Sequence, residues 1–447
     1  MMLAIERLSW HLRSVLLLVL FATTTLGCSG QSGVEPDQKI IQTPVPSDRM
    51  ETDTQTADPA ESIAEVTVKA SDEAPSVEAV DEGNASGDSE GWTSFRNGPQ
   101  QLGIAHTTLP DELELLWEYD APDGVTASPA ISQGRVYAGI VGGNVFCLDL
   151  KTGELIWSYR SIESADPDEF APGFQAPVTI TDELVLCGDE DGVMHAIDRE
   201  TGDKRWVFPT GGEVVGGMTI VGEHGIFGSH GGKLYRLNLS DGSVVWEFET
   251  RGPVNASPTV GENFTFVTGC DQPIMRVVDI GSGEQHSEVP LDGLLIATPA
   301  LVGDVLYFGT DSGTVYAIDW KAKQTVWSYT DPNRQFEIRS SPAVIDDLVI
   351  IGSRDKHVHA INRLSGEEVW SFATRAGIDC SPVVCGDRVY FGSRDKNVYG
   401  LTIADGQEVW KQNVRQSITA SPAVGEGHLV IGTDESDGRI LCFGASE

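Results

Sequence analysis

Two copies of one four-residue run, Ser353-Arg354-Asp355-Lys356 and Ser393-Arg394-Asp395-Lys396, are the most chemistry-laden stretches of this chain. A guanidinium fork donates paired hydrogen bonds to a carboxylate or phosphate, so arginine repeated at fixed spacing points to recognition of an anionic group. Arg334, Arg339, Arg375 and Arg415 fall in neighbouring stretches. Other reactive groups are sparse. His357 and His359 form an H-x-H pair that would share one strand face, but no third ligand accompanies them. The D-x-D-like runs at Gly188 (GDEDG) and Gly309 (GTDSG) are too short to supply the oxygens that calcium takes. Cys380 and Cys385 lie five residues apart, roughly 16 Å if extended, too far for a disulfide without a bend. No H-E-x-x-H, P-loop or C-x-x-C-H occurs. We expect no catalytic, cofactor-binding or metal-binding residue.

The elements that carry these residues repeat. From Ser381 to Trp410 the chain reads as three apolar, β-branched or aromatic runs divided by Gly/Asp turns, then a D-G turn into E-V-W. That pattern predicts four strands joined by tight hairpins, a small sheet that cannot bury both faces alone. Trp117, Trp157, Trp206, Trp246, Trp327, Trp370 and Trp410 recur at intervals of 40, 49, 40, 81, 43 and 40 residues, with His286 in the slot the long interval skips. A small-Ser/Thr-Pro-Ala variant precedes each unit, at Ala127, Gln175, Gly216, Ala256, Ala297, Ser340, Cys380 and Ala420. Eight four-stranded units of about 40 residues predict an all-β, eight-bladed β-propeller. The last unit has three strands, and a lone strand, LLWEYD around Trp117, precedes the first. The N-terminal strand is therefore expected to complete the C-terminal blade, which removes the free sheet edges of an open ring.

Gly91 opens the domain with W-x-x-F-R-x-G-P and then L-G. Together with the template S-P-A-V, V-Y-x-G-S-x-D-G-x-V-Y-A-I-D and T-G-x-x-x-W, this resembles exported proteins with PQQ-like propeller repeats over about residues 92–444. That superfamily includes PQQ-dependent dehydrogenases and the BamB-type envelope lipoproteins of outer-membrane protein assembly. The dehydrogenases stack their quinone between a tryptophan and a disulfide of two adjacent cysteines, above a calcium ion. This chain has no Cys-Cys pair, and its tryptophans sit at the closing position of each blade. The resemblance thus implies no PQQ here. Cys147 and Cys442 take a slot that Ala196, Ala317 and Ala360 fill in sister blades, as small core residues.

Charge and composition set the domains. The chain carries a formal charge of −37 over 447 residues, which argues against nucleic-acid binding. Residues 1–27 form a signal peptide, with Arg7 and Arg13 before an apolar run from Val15 to Ala22 that is too short to span a bilayer. T-L-G-Cys28 resembles a lipobox, with Thr25 where that pattern favours leucine, so Cys28 is the expected lipidation site. Residues 29–90 hold 15 acids, 3 bases and no aromatic residue, an expected disordered acidic tether. Residues 91–447 are the propeller.

In such blades the turns between second and third strands share a face with the interblade loops. The eight bases Arg334, Arg339, Arg354, Lys356, Arg375, Arg394, Lys396 and Arg415 should gather there as a candidate binding face. Glu163, Asp166, Asp168, Glu169, Asp189, Glu190, Asp191 and Glu213 should lie across the ring. The opposing expectation is that each turn arginine is neutralised by the aspartate beside it. Three functions stay open. The first is a non-enzymatic, lipid-anchored scaffold on the periplasmic side of the outer membrane, monomeric and docking an envelope protein. The second is a quinone-dependent oxidoreductase, and the third a binder of anionic glycan or lipid headgroups.

Overall fold

The computed structural model describes residues 90–446, except 165, 167–168 and 269–271. The expected leader, Cys28 and the tether up to residue 89 lie outside the described residues. Eight four-stranded antiparallel sheets account for every strand among the described residues. The chain is an eight-bladed propeller. Blades one to seven each use four consecutive strands, from Ala130–Ser132 in blade one to Glu408–Asn413 in blade seven. Blade eight takes three strands from the C-terminus and its fourth, Glu114–Asp120, from the N-terminus. Trp117 faces Cys442 and Leu115 faces Phe443 in that closing pair, and Glu118 meets Arg439 at 3.1 Å.

The strand pattern follows burial. Third strands such as Thr314–Asp319 bury their four central residues because sister blades cover both faces. Fourth strands are outermost, and in Lys204–Pro209 the tryptophan is the one buried residue. The first strands are two or three residues long and lie against one another around the centre. A bulge follows the tryptophan pairing in the blades; in blade one Cys147 faces Trp157 and the next residue, Leu148, faces Leu155. Such a bulge adds twist, which the radial packing of blades needs.

Each tryptophan joins its blade to the next. The indole N–H of Trp157 donates to the Arg199 carbonyl at 3.1 Å, and that of Trp370 to Ile403 at 2.7 Å. The ring lies on a turn glycine of that next blade. Gly202 has φ 77°, and a Cβ there would come within 2.8 Å of Trp157. Only glycine fits both the left-handed backbone and the contact. In blade four the register places Ser287 opposite Val277 in the tryptophan slot, and the expected His286 is instead the residue at the bulge. In the next blade Lys323 stands at the left-handed position (φ 55°), and Trp320 packs against Phe264, Phe266 and His286. At the closing seam Trp410 donates to Leu113, at the start of the N-terminal strand.

The lead-in from residue 90 to 107 laces the ring on the side opposite the loop face. The Glu90 carbonyl accepts from Glu426 N in blade eight, Trp92 bridges Ile131 in blade one, and Thr93 accepts from Ile180 in blade two. Gln101 donates to Thr219 and Pro258, while Pro99, Gln100, Leu102 and Gly103 accept from Val260, Leu301, Val344 and Val384 of blades four to seven. At its centre Arg96 is fully buried and donates to the Pro342 carbonyl at 2.7 Å. Burial pushes its guanidinium down to about 9. Gly103 has φ 71°, and a Cβ there would lie 1.9 Å from Arg96 Nη2, so glycine is required.

Candidate partner-binding face

The turn between second and third strands closes with the same backbone bond in blades one, two, three, five, six and seven. Gly143, Gly192, Gly232 and Gly313 donate to Ile140, Asp189, Ser229 and Thr310, all four in the left-handed region at φ 76–85°. In blades six and seven the equivalent residues are Lys356 (φ 74°) and Lys396 (φ 73°), bonded to Ser353 and Ser393. A side chain held left-handed costs about 1–2 kcal/mol. Both lysines are exposed.

The aspartate beside each turn arginine points inward. Asp355 Oδ2 lies 2.9 Å from His359 Nε2, and Asp395 accepts from Tyr399 at 2.7 Å. The arginines find acids elsewhere. Arg354 grips Asp379 with Nε at 2.7 Å and Nη2 at 3.0 Å, and reaches Glu337 at 2.8 Å. Arg394 shares Asp379 at 2.8 Å, Arg339 pairs with Glu337, Arg334 with Asp331, and Lys396 with Glu435. Neutralisation of the turn arginines Arg354 and Arg394 is thus real but comes from other loops. Lys356, Arg375 and Arg415 form no side-chain ion pair among the described residues and are exposed. Phe336, between Arg334 and Arg339, is 54% exposed.

Across the ring, the insert after blade one folds around Arg160, which donates to the carbonyls of Ser164, Asp166 and Glu169. Phe170 at its tip is 75% exposed. Glu163 pairs with Lys204 and Glu213 with His230, and Gln175 donates to Glu190 at 3.4 Å. Asp191 stands in the blade-two turn, and Asp168 lies outside the described residues. Asp189 is buried and holds His195 at 2.9 Å, so it belongs to the blade interior. The exposed phenylalanines and the left-handed lysines are what sequence reading missed. The lysines had a signal, since they replace the glycine of every D-G or G-G sister turn.

The H-x-H pair is engaged within the protein. His359 touches Asp355 and, through Nδ1, Glu368 at 2.8 Å; Arg334 donates to His357 at 2.7 Å. Burial lowers the His359 pKa, but the two carboxylates outweigh it and the net shift is upward. Burial opposes the charge of Asp355 and Glu368 too, yet hydrogen bonds and the imidazolium bring both below their ordinary values. The imidazolium's contribution is complete below its unfolded value of 6.5 and fades as pH rises through the raised folded value. The carboxylates' contribution fades as pH falls through their depressed values. His359→Gln is therefore expected to lower the melting temperature more at about pH 6 than at about pH 10. An equal loss at both would show that the charge contributes nothing.

Cys147, Cys187, Cys380, Cys385 and Cys442 are free and buried, so no disulfide joins blades through them. Desolvation raises the Cys380 thiol to about 12, an unreactive state.

A closed ring of eight such four-stranded blades defines a propeller of PQQ-like repeats. The chain belongs to the PQQ_2 family, described as outer membrane protein assembly factor BamB, whose family model matches residues 76–329 and 354–445. The outer membrane protein assembly factor BamB of Shewanella oneidensis is 23% identical over 252 residues, 50% of this chain and 62% of that protein. The chain thus matches less than two thirds of that relative's length. BamB from Moraxella catarrhalis shares the fold with a TM-score of 0.61 at 22% identity, over 75% of this chain and 98% of that one. The quinohemoprotein alcohol dehydrogenase of Comamonas testosteroni does so at 0.68 and 12% identity, over 82% of each.

Proposed function

We propose that this chain is a binding scaffold of the cell envelope that takes part in outer-membrane protein assembly by docking a protein partner on the loop face of blades five to eight. One observation carries the reading. Lys356 and Lys396 hold a left-handed backbone where four sister turns use glycine, so the fold bears a cost for charge at that face. Exposed Phe336 supplies an apolar anchor on the face that also carries exposed Arg375 and Arg415, the residue types that partner-binding surfaces favour. Lipidation at Cys28 belongs to the same reading, which places the protein on the periplasmic side of the outer membrane. No helix among the described residues is long and apolar enough to cross a membrane.

The test separates stability from binding. Lys356→Gly with Lys396→Gly relieves the strained turns and removes two charges, so the melting temperature should hold or rise while partner binding falls. Binding is read by a photo-crosslinker placed at Phe336 in cells, with the adduct identified as a component of outer-membrane protein assembly. A crosslinker at Leu364, 66% exposed in a turn on the opposite face, is the control. Equal adducts from both positions, or full adduct yield in the double variant, would sink the proposal. For the anchor, Cys28→Ala should move the protein from the membrane to the soluble periplasmic fraction; retention there would point to another anchor.

The quinone reading lacks a fitting donor set. Phe95 and serine or threonine hydroxyls line the central cavity, with no tryptophan among its lining residues. The tryptophans instead bond carbonyls of neighbouring blades, and the described cysteines are neither adjacent nor paired. Among the described residues no cluster of three or more His, Cys, Asp or Glu side chains could hold a metal.

A further inference from the structure

The loop-face end of the central channel is a cavity of about 180 Å³. Phe95 forms part of its lining, and Ser257, Thr298, Ser341, Ser381 and Ser421 contribute one hydroxyl from each of five consecutive blades. Each of these oxygens accepts a backbone N–H from the blade before it, donated by Gly217, Ser257, Thr298, Ser341 and Ser381 at 2.9 or 3.0 Å. A lone pair so occupied leaves the O–H proton to turn away from that backbone, and none of the five donates to a described residue. Ser128 of blade one lines the cavity from the same slot, while Ala176 and Gly217 hold it in blades two and three, so the hydroxyls form an arc.

The charges around this arc favour an anion. Arg339 stands at its rim, and Asp379, the carboxylate in the lining, is already shared by Arg354 and Arg394. Arg96 sits behind Phe95, its Cζ 6.0 Å from the ring centroid. It is fully buried, meets no carboxylate among the described residues, and its Nε and Nη1 find no hydrogen-bond partner there. A cation buried without a counter-charge keeps a strong field in the surrounding low dielectric. Convergent O–H donors in such a field solvate negative charge as an oxyanion hole does.

We propose that the channel cavity binds one small oxyanion group, a carboxylate or a phosphate. The arc of hydroxyls donates to its oxygens, Arg339 draws it in, and the buried Arg96 stabilises it from behind. This site is independent of any protein partner, so it can fail while the docking reading stands.

Calorimetric titration of the full-length protein with acetate, inorganic phosphate and glucose tests it. One of the two anions should bind saturably and the neutral polyol should not; acetate binding more tightly assigns a carboxylate, phosphate the alternative. Ser341→Ala and Ser381→Ala should each weaken binding about tenfold, the loss of one hydrogen bond to a charged acceptor. Those variants also strip an acceptor from a backbone N–H, so Arg339→Gln at the exposed rim is the companion that spares the wall. It should weaken the anion about threefold and flatten its dependence on salt. No saturable heat from either anion up to about 50 mM, a span that reaches millimolar affinity, would overturn the assignment. So would glucose binding as tightly as the anions, or anion binding unchanged in all three variants.

Discussion

A chain lacking residues 92–120 is expected to lose its ring. The deletion removes the fourth strand of blade eight, with the Trp117 indole that donates to Leu150 of blade one at 2.8 Å. It also removes the Leu113 carbonyl on which Trp410 closes the seam from blade seven. The strand Arg439–Gly444 would then present a free, buried-type edge of Ile440, Leu441, Cys442 and Phe443, a template for pairing with other chains. Arg96 and all of the lacing except the Glu90 link to blade eight go too. The expected result is aggregating, protease-sensitive protein with no cooperative melt. A chain lacking residues 29–89 should melt with the full-length protein, because a stretch of that composition is expected to add no core. Cooperative melting of the first variant, or unfolding of the second, would refute this account of closure.

Trp157→Ala is the substitution expected to cost most. The ring is 8% exposed, packs against Tyr137 and Gly202, and donates its N–H to the Arg199 carbonyl, which Arg135 also reaches. Its removal therefore leaves a cavity and takes one of two donors from that carbonyl at one blade junction. Buried Trp→Ala changes cost about 3–5 kcal/mol. Ser287→Ala changes the same slot at the junction of blades four and five, where the side chain is small and half-buried and no turn glycine receives it. It should cost less than about 1 kcal/mol, the usual range for surface changes. Denaturant midpoints compare the two directly. Similar losses at both positions would mean that the tryptophans merely fill space within their own blades.

The repeat was legible because one physical task recurs. From Trp117 to Trp370 each closing tryptophan must reach a glycine turn in the next blade, so its spacing reports blade length, and the orphan LLWEYD strand reports how the ring closes. The loop face was legible only as a collection of charges. Asp355 lies next to Arg354 in the chain yet serves His359, while Asp379 and Glu337, 25 and 17 residues away, neutralise the arginine. Sequence adjacency says little there, because hairpin geometry sends neighbouring side chains to opposite sides of the turn. The lacing by residues 90–107 was not legible at all. It follows no period, and its residues adopt backbone that only their partners explain: Arg96, Asn97 and Gln101 hold φ 59°, 54° and 62°.

That lacing bears on how such rings evolve. Propellers lengthen and shorten by duplication and loss of whole units, and radial packing alone tolerates neighbouring blade numbers. Here Trp92, Thr93, Pro99, Gln100, Leu102 and Gly103 each answer one blade in turn. A ninth unit would find no residue waiting for it, and a lost unit would strand one. The segment therefore acts as a gauge. It reads the number of blades against its own length, and a lineage could change that number only by rewriting the gauge in the same step.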